Sequence, residues 1–361
     1  MKRTQALVER AIAEGAFPGA QVAVLLDGRV STGAFGRLTY ETDSAPVTDA
    51  TYYDLASVTK MVSTTSLAMS LYDQGALDLA APAKVFVDEI ADDELAGATA
   101  AQLLAHSAGY PAWRPLYAAL RAEDVGTAMG WAVLLNALTK VRAQYRPGGG
   151  AIYSDLDMMM LGVIIERLGD STLDVMIRER VFGPLGMDEI DFNAAATRPG
   201  AVFAPTEQCG WRGRLLIGEV HDENTFAAGG VTGQSGLFGT ARALMTYAGE
   251  LLAAWRGEGR VFRQDTLRRF ATRVDPESNS SFALGFDGRS PQGSLLPVEF
   301  GPASFGHWGF TGTGLWIDPE RNLAVALLTN RVHPTRDNDR VRSWRAPIMS
   351  AAVTDASGGM E

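Results

Sequence analysis

The sequence predicts a protein of the α/β (α+β) class, in which a sheet is assembled from distant segments and a helical lobe is inserted into it. Short β-branched or apolar runs occur near the N-terminus and again beyond residue 280, whereas helical periodicity dominates between them. The length of 361 residues is compatible with two lobes or with one large α/β body. We predict a sheet domain at residues 1–56 and 200–361 and a mainly helical lobe at 57–199.

The first predicted elements are a helix and a hairpin. Apolar residues at helical spacing predict a helix over residues 2–14, and the run 21–26 predicts a strand that ends at the Asp-Gly turn of residues 27–28. The segment 57–72 is small and apolar and contains no Gly or Pro, which predicts a largely buried helix ended by Gly75.

Helical patterns continue to about residue 195 and are replaced by strand patterns beyond about residue 280. The glycine-rich segment 229–236 lacks the Gly-Lys-Ser/Thr ending of a phosphate-binding loop, so we interpret it as a tight turn before a helix that starts near Thr240. The expected C-terminal elements are strands at 282–286, 304–310, 315–317 and 323–329 and a closing helix near 337–353.

Composition and charge exclude several classes of function. The net charge of -10 and the scattered arginines provide no basic surface for nucleic acid, which we do not expect as a partner. No apolar run is long enough to span a membrane, and residues 1–15 have the pattern of an amphipathic helix rather than of a signal peptide. We therefore expect a cytoplasmic protein without a membrane partner.

Cysteine and histidine do not indicate a disulfide or a metal site. Cys209 is the single cysteine, so an internal disulfide is excluded and we expect a small buried residue in a reducing compartment. The histidines share no metal-ligand spacing, and we expect neither a metal nor another cofactor. The run 221–224 is interpreted as a hydrogen-bonded loop. The histidines are His106, which we interpret as structural, His221, His307 and His333.

The segment Ser57-Val58-Thr59-Lys60 is the first candidate for chemistry. A spacing of three residues at the start of a helix places a hydroxyl and an amine on the same face, next to unpaired backbone N–H groups that can stabilise an oxyanion. The alternative is a capping serine followed by a surface lysine. A lysine within an apolar helix is costly unless it is partnered, which favours the functional interpretation.

Two further segments carry candidate polar groups. Tyr153-Ser154-Asp155 precedes an apolar helix, and His307-Trp308-Gly309 lies on a predicted strand. Alone, Tyr153 and His307 are more often structural residues than functional ones. No serine has the Gly-x-Ser-x-Gly pattern of the α/β-hydrolases, so that route to hydrolysis is excluded.

Together these segments resemble the serine β-lactamase and penicillin-binding-protein superfamily, more closely its β-lactamase-related hydrolases and family VIII carboxylesterases. The resemblance implies a mostly antiparallel sheet covered by helices, with the active site between the sheet domain and the helical lobe. It implies that Ser57 is acylated, that Lys60 and Tyr153 transfer protons, and that the backbone N–H groups of Ser57 and Phe310 form the oxyanion hole. The matching segments are 54–60, 103–109, 153–156, 218–224 and 306–313.

Two positions depart from the family pattern. Asp155 stands where many members have Asn, and His307 stands where a Lys is usual. If Asp155 approaches Lys60, the ammonium form is favoured and should depress the pKa of Tyr153, so we hypothesise that a Tyr153 phenolate accepts the Ser57 proton, although the two roles could be reversed. A neutral His307 beside Gly309 and Phe310 would bind a substrate carboxylate poorly, which favours neutral substrates.

The expected function is hydrolysis of small carboxylic esters or amides through a Ser57 acyl-enzyme. A D-alanyl peptidase or β-lactamase is the alternative within the enzymes, and a non-catalytic binding protein is the alternative outside them. Four aromatic residues are candidates either for lining the pocket or for packing. They are Trp113, Tyr117, Trp211 and Trp308.

Overall fold

The computed structural model describes residues 1–275, 279–290 and 292–358. The strands are β1 Gly19–Leu26, β2 Arg29–Gly36, β3 Tyr53–Asp54, β4 Ile190–Phe192, β5 Gln208–Cys209, β6 Arg214–Leu215, β7 Leu237–Gly239, β8 Asp287–Gly288, β9 Phe305–Trp308, β10 Gly314–Asp318 and β11 Leu323–Thr329. The α-helices are α1 Lys2–Ala13, α2 Ser66–Asp73, α3 Asp93–Gly97, α4 Ala100–Leu104, α5 Ala128–Thr139, α6 Asp155–Gly169, α7 Leu173–Ile177, α8 Gly183–Leu185, α9 Ala194–Thr197, α10 Glu223–Ala227, α11 Ala241–Trp255, α12 Gln264–Ala271 and α13 Val341–Ser357. Wider π-helical turns occur at Lys60–Thr65 and Arg178–Phe182, and 3-10 turns at Ala83–Val85, Leu116–Ala119 and Ala122–Asp124.

The main sheet has the strand order β2-β1-β11-β10-β9-β8, and every neighbouring pair is antiparallel. Its strands come from both ends of the chain, which confirms the predicted fold class. Residues 27 and 28 both have positive φ, as expected for the tight hairpin turn between β1 and β2.

Both faces of the main sheet are covered. In β1, Val22 and Val24 pack in the core formed with α1 and α13, whereas Ala23 and Leu25 belong to the larger core that includes α11. Because side chains alternate between the faces of a strand, a strand covered on both sides needs apolar residues throughout. This explains the continuous apolar run of β11, which is buried from end to end.

One predicted strand is wrong. Residues 282–286 form a turn instead, in which the Ala283 N–H donates to the Phe286 carbonyl and Gly285 has a φ of 81°. The N–H groups of Leu284 and Gly285 are used by Phe270 and Leu104, outside the sheet ladder. The edge strand β8 begins only after this turn.

The remaining elements follow the predictions with small differences. The helix expected from residue 57 is formed, α11 begins after Thr240 with the Thr240 hydroxyl as its cap, and the closing helix begins at Val341. β4 lies in the segment expected to be helical and joins the small sheet β3-β7-β4.

The division into lobes at residues 57 and 199 stays a prediction. Cys209 is buried, and no described helix is both long and apolar enough to cross a lipid bilayer.

Gln21 joins the sheet to the helix layer, and we predict that Gln21→Leu destabilises the fold by about 3 kcal/mol. Its buried amide donates to the carbonyls of Thr48 and Thr51 and accepts from the Ala241 N–H at the start of α11, at 2.6, 2.9 and 2.8 Å. The substitution leaves these groups without partners. Urea denaturation should show the loss, and the exposed control Gln5→Leu should change the free energy of unfolding by less than about 0.5 kcal/mol. Equal effects would contradict the role of Gln21.

Candidate active site

Ser57 occupies a tightly held bend at the start of the buried helix. The residue before it, Ala56, has a φ of 47°, which is uncommon for a residue other than glycine. The Asp54 carboxylate accepts the Ala56 N–H at 2.8 Å and stabilises this conformation. The hydroxyls of Thr311 and Thr313 donate to the carbonyls of Asp54 and Leu55 at 2.7 and 2.9 Å. The β9–β10 loop therefore holds the backbone that presents Ser57.

Lys60 is completely buried, and its ammonium group contacts three acceptors. Its Nζ lies 2.9 Å from Ser57 Oγ, 2.7 Å from Asp155 Oδ1 and 3.1 Å from the Gln234 carbonyl. Burial is the largest single effect and lowers the pKa of Lys60, but the effects of Asp155 and Tyr153 together outweigh it, so the pKa is raised above its usual value. The expectation that Asp155 favours the ammonium form is confirmed.

Tyr153 lies beside both groups. Its hydroxyl interacts with Lys60 and Ser57, and its ring centre is 4.9 Å from Lys60 Nζ. Burial raises the pKa of Tyr153 to about 12, and this effect exceeds the lowering by the Lys60 charge and by the hydrogen bonds. The expected depression of this pKa is therefore wrong. At neutral pH the side chain is a phenol.

The Tyr153 ring is held by aromatic neighbours that the sequence analysis did not connect with it. The ring centres of His106 and His307 are 4.8 and 5.7 Å from that of Tyr153. His106 is buried, and its Nδ1 accepts the Ser154 N–H at 3.2 Å. His106 thus fixes both the backbone and the ring at this position.

His307 and Gly309 line the cleft next to the tyrosine. The His307 Nδ1–H donates to the Trp308 carbonyl at 2.7 Å. Burial, followed by the charge of Lys60, lowers the pKa of His307 to about 3, so the imidazole is neutral as expected. Gly309 approaches the nucleophile segment so closely that a Cβ there would overlap the Thr313 hydroxyl and lie 2.7 Å from the Leu55 carbonyl.

Two backbone donors remain available beside Ser57. Among the described residues, the N–H groups of Ser57 and Phe310 have no acceptor. Both residues line the same cleft, and Ser57 precedes a helix N-terminus. This arrangement suits a pair of donors to an oxyanion.

The cleft has a volume of about 710 Å³ and is lined by every predicted site residue except the buried Lys60, whose Nζ contacts the lining residues Ser57 and Asp155. Trp113 and Trp308 line it, whereas Tyr117 and Trp211 pack on each other with ring centres 4.5 Å apart. The sequence analysis missed Arg345 on α13, which also lines the cleft.

The loop at 221–224 is hydrogen-bonded, as predicted. The His221 N–H donates to Asp54, His221 Nε2 lies 3.1 Å from Glu207 Oε2, and the Asp222 carboxylate caps α10 through the Thr225 N–H. No group of three or more potential metal-ligating His, Cys, Asp or Glu residues occurs among the described residues.

Comparisons with known proteins show what the chain is similar to. The β-lactamase family model matches residues 4–347. A protein of Escherichia coli (strain K12) named "Putative D-alanyl-D-alanine carboxypeptidase" is 30% identical over 338 residues, which cover 83% of this chain and 75% of that protein. Two solved structures share the fold. EstCE1, a hydrolase with promiscuous acyltransferase activity, has a TM-score of 0.77 at 19% identity and 97% coverage of both chains. The octameric penicillin-binding protein homologue from Pyrococcus abyssi has a TM-score of 0.75 at 20% identity, covering 98% of this chain and 77% of the other.

The close approach at Gly309 predicts that Gly309→Ala lowers kcat at least about 100-fold, because the added methyl group pushes the β9–β10 loop away from Ser57. The rate with an activated ester measures this effect. Gly210→Ala is the matched control, since a Cβ at Gly210 meets no atom within 4 Å. An active Gly309→Ala enzyme would contradict the close approach.

Proposed function

Because the chain belongs to the β-lactamase family of serine hydrolases, we propose that it cleaves small carboxylic esters or amides through an acyl-enzyme on Ser57. The observation that carries the proposal is the contact of the buried Lys60 ammonium with Ser57 Oγ, within a cleft that also holds Tyr153. The two unpaired N–H groups beside Ser57 supply the other requirement of acyl transfer, stabilisation of an oxyanion.

The protonation states of Lys60 and Tyr153 indicate which of the two side chains accepts the Ser57 proton. A Lys60 ammonium that donates to Ser57 Oγ cannot accept its proton, so Tyr153 serves as the base after ionising. With a pKa of about 12, ionisation of Tyr153 costs about 5 kcal/mol at pH 8. A turnover of ~10 s⁻¹ has a total barrier of about 16 kcal/mol, which leaves room for this cost.

The reaction then proceeds in two similar halves. Ser57 Oγ attacks the substrate carbonyl while Tyr153 takes its proton, and the oxyanion is held by the N–H groups of Ser57 and Phe310. Tyr153 returns the proton to the leaving alcohol or amine, which yields the acyl-enzyme. Water attacks this ester with Tyr153 again as the base, and Ser57 is released. Throughout, Asp155 keeps Lys60 charged beside the phenolate.

A second candidate function is a peptidase of the D-alanyl type, whose substrate ends in a carboxylate. Arg345 favours it. Its side chain is buried at the cleft, its Nε has no partner, and no carboxylate lies within 4 Å among the described residues. Burial and the charges of Arg331 and Arg342 lower the pKa of Arg345 to about 10, and the charge of Asp339 offsets this only in part. The names of the relatives from enteric bacteria point to the same substrates.

A panel of substrates tests the proposal. We expect the wild-type protein to hydrolyse short-chain nitrophenyl esters or D-amino-acid amides and Ser57→Ala to react no faster than buffer. A chromogenic cephalosporin and a D-alanyl peptide, each assayed with wild type and Arg345→Met, distinguish the second candidate function from the first. Activity that survives in Ser57→Ala would refute the acyl-enzyme. Absence of labelling by a fluorophosphonate would favour a non-catalytic binding protein.

The raised pKa of Tyr153 predicts an alkaline pH profile. The base is the phenolate, and its fraction increases about tenfold for each pH unit below a pKa of about 12. A plot of log kcat/KM against pH should therefore rise with a slope near 1 from pH 7 to 10.

Tyr153→Phe should lower kcat by roughly 10²–10⁴-fold. Stopped-flow rates corrected with Ser57→Ala provide the measurement. A loss below about tenfold would transfer the base role to Lys60.

A further inference from the structure

The orientation of the Phe310 N–H is determined by the two peptide units that flank this residue. The carbonyl of Gly309 accepts the Gly312 N–H at 3.1 Å and lies 3.5 Å from Arg345 Nη2. In a trans peptide the carbonyl and the following N–H point in opposite directions. Partners on the Gly309 carbonyl therefore direct the Phe310 N–H away from the loop interior.

Arg331 holds the other peptide unit. Its Nε donates to the Phe310 carbonyl at 2.7 Å, its backbone N–H donates to the Thr311 carbonyl at 3.0 Å, and its guanidinium lies 4.5 Å from the Phe310 ring centre. The ring is nearly half exposed, and it also packs on His221 with ring centres 5.5 Å apart. Arg331 thus binds two consecutive carbonyls and packs on the ring between them.

The Arg331 side chain is itself immobilised. It is 4% exposed, and its Nη1 donates to the carbonyls of Arg336 and Asn338 and to the Asp339 carboxylate at 3.0, 2.7 and 3.1 Å. These partners belong to the segment between β11 and α13. A planar guanidinium with its donors in a rigid fork can hold both sides at once, which a lysine cannot do.

We infer that Arg331 is a positioning residue for the oxyanion hole: it holds Phe310 so that the Phe310 N–H faces the carbonyl oxygen of the substrate attacked by Ser57. The inference rests on the proposed function, because an oxyanion forms only if Ser57 attacks a carbonyl. Arg331 lines the cleft but has no hydrogen bond to Ser57. The proposed effect on the rate is the one that Arg331 exerts through the Phe310 backbone.

A comparison of an oxoester with its thionoester tests this role. Sulfur accepts hydrogen bonds poorly, so a misplaced N–H penalises the oxoester far more than the thionoester. We expect Arg331→Lys to lower kcat for the oxoester roughly 30-fold and for the thionoester less than threefold, with KM changed less than twofold; removal of an oxyanion donor altogether costs about 10²–10³-fold. Any unfolded fraction of a variant lowers the rates with both esters equally, so its effect cancels in the ratio of the two rates.

Arg289→Lys is the matched control, because Arg289 also donates to two backbone carbonyls, those of Pro297 and Phe300, but does not line the cleft. Its oxoester-to-thionoester ratio should equal that of the wild type. Asp339→Asn, which weakens only one anchor of Arg331, should shift the ratio in the same direction by a smaller factor.

Three outcomes are distinguishable. A ratio that falls in Arg331→Lys and not in Arg289→Lys supports the inference. Equal losses on both esters, or an unchanged rate, would overturn it while leaving the acyl-enzyme intact. If the wild type forms no acyl-enzyme with either ester, detected by mass spectrometry, the proposed function fails and this inference is rejected with it.

Discussion

The buried ammonium of Lys60 is the constraint on which the site depends. An isolated charge in a protein interior is very costly, and the cost is offset only when hydrogen-bonding partners surround it. Here the acceptors are Ser57, Asp155 and the Gln234 carbonyl, which lie on three distant segments. Folding that satisfies Lys60 therefore also brings the hydroxyl, the carboxylate and the Gly-rich turn together. In this protein the stability of the core and the assembly of the reactive groups have the same physical cause.

The two departures from the family pattern act through this cation. Asp155 adds a negative charge 2.7 Å from Lys60 Nζ, and His307 brings no compensating positive charge because its imidazole is neutral. Both changes make Lys60 harder to deprotonate, and Asp155 also makes Tyr153 harder to ionise. The expected result is a slow enzyme at neutral pH. Arg345 places a cation elsewhere in the cleft, over the Trp308 ring.

Sequence reasoning identified groups that are visible as local patterns. The Ser57–Lys60 spacing, the apolar run of β11 and the turn before α11 all correspond to observed contacts or elements. It failed where long-range packing decides the outcome. The pKa of Tyr153 depends on burial among rings from elsewhere in the chain. Residues 282–286 form a turn because their N–H groups find partners outside the sheet. The unpaired Nε of Arg345 has no signature in a single sequence.

The bonds from Thr311 and Thr313 to the backbone before Ser57 have an evolutionary consequence. They hold the backbone before Ser57 without contacts from the outer cleft, where Trp113 and Leu295 contribute surface. Mutations at those outer positions can therefore accumulate without disturbing bond making and breaking. A lineage with this arrangement can change the molecules it accepts by drift at the rim, and laboratory libraries aimed at new acyl groups should randomise the rim and leave residues 309–313 untouched.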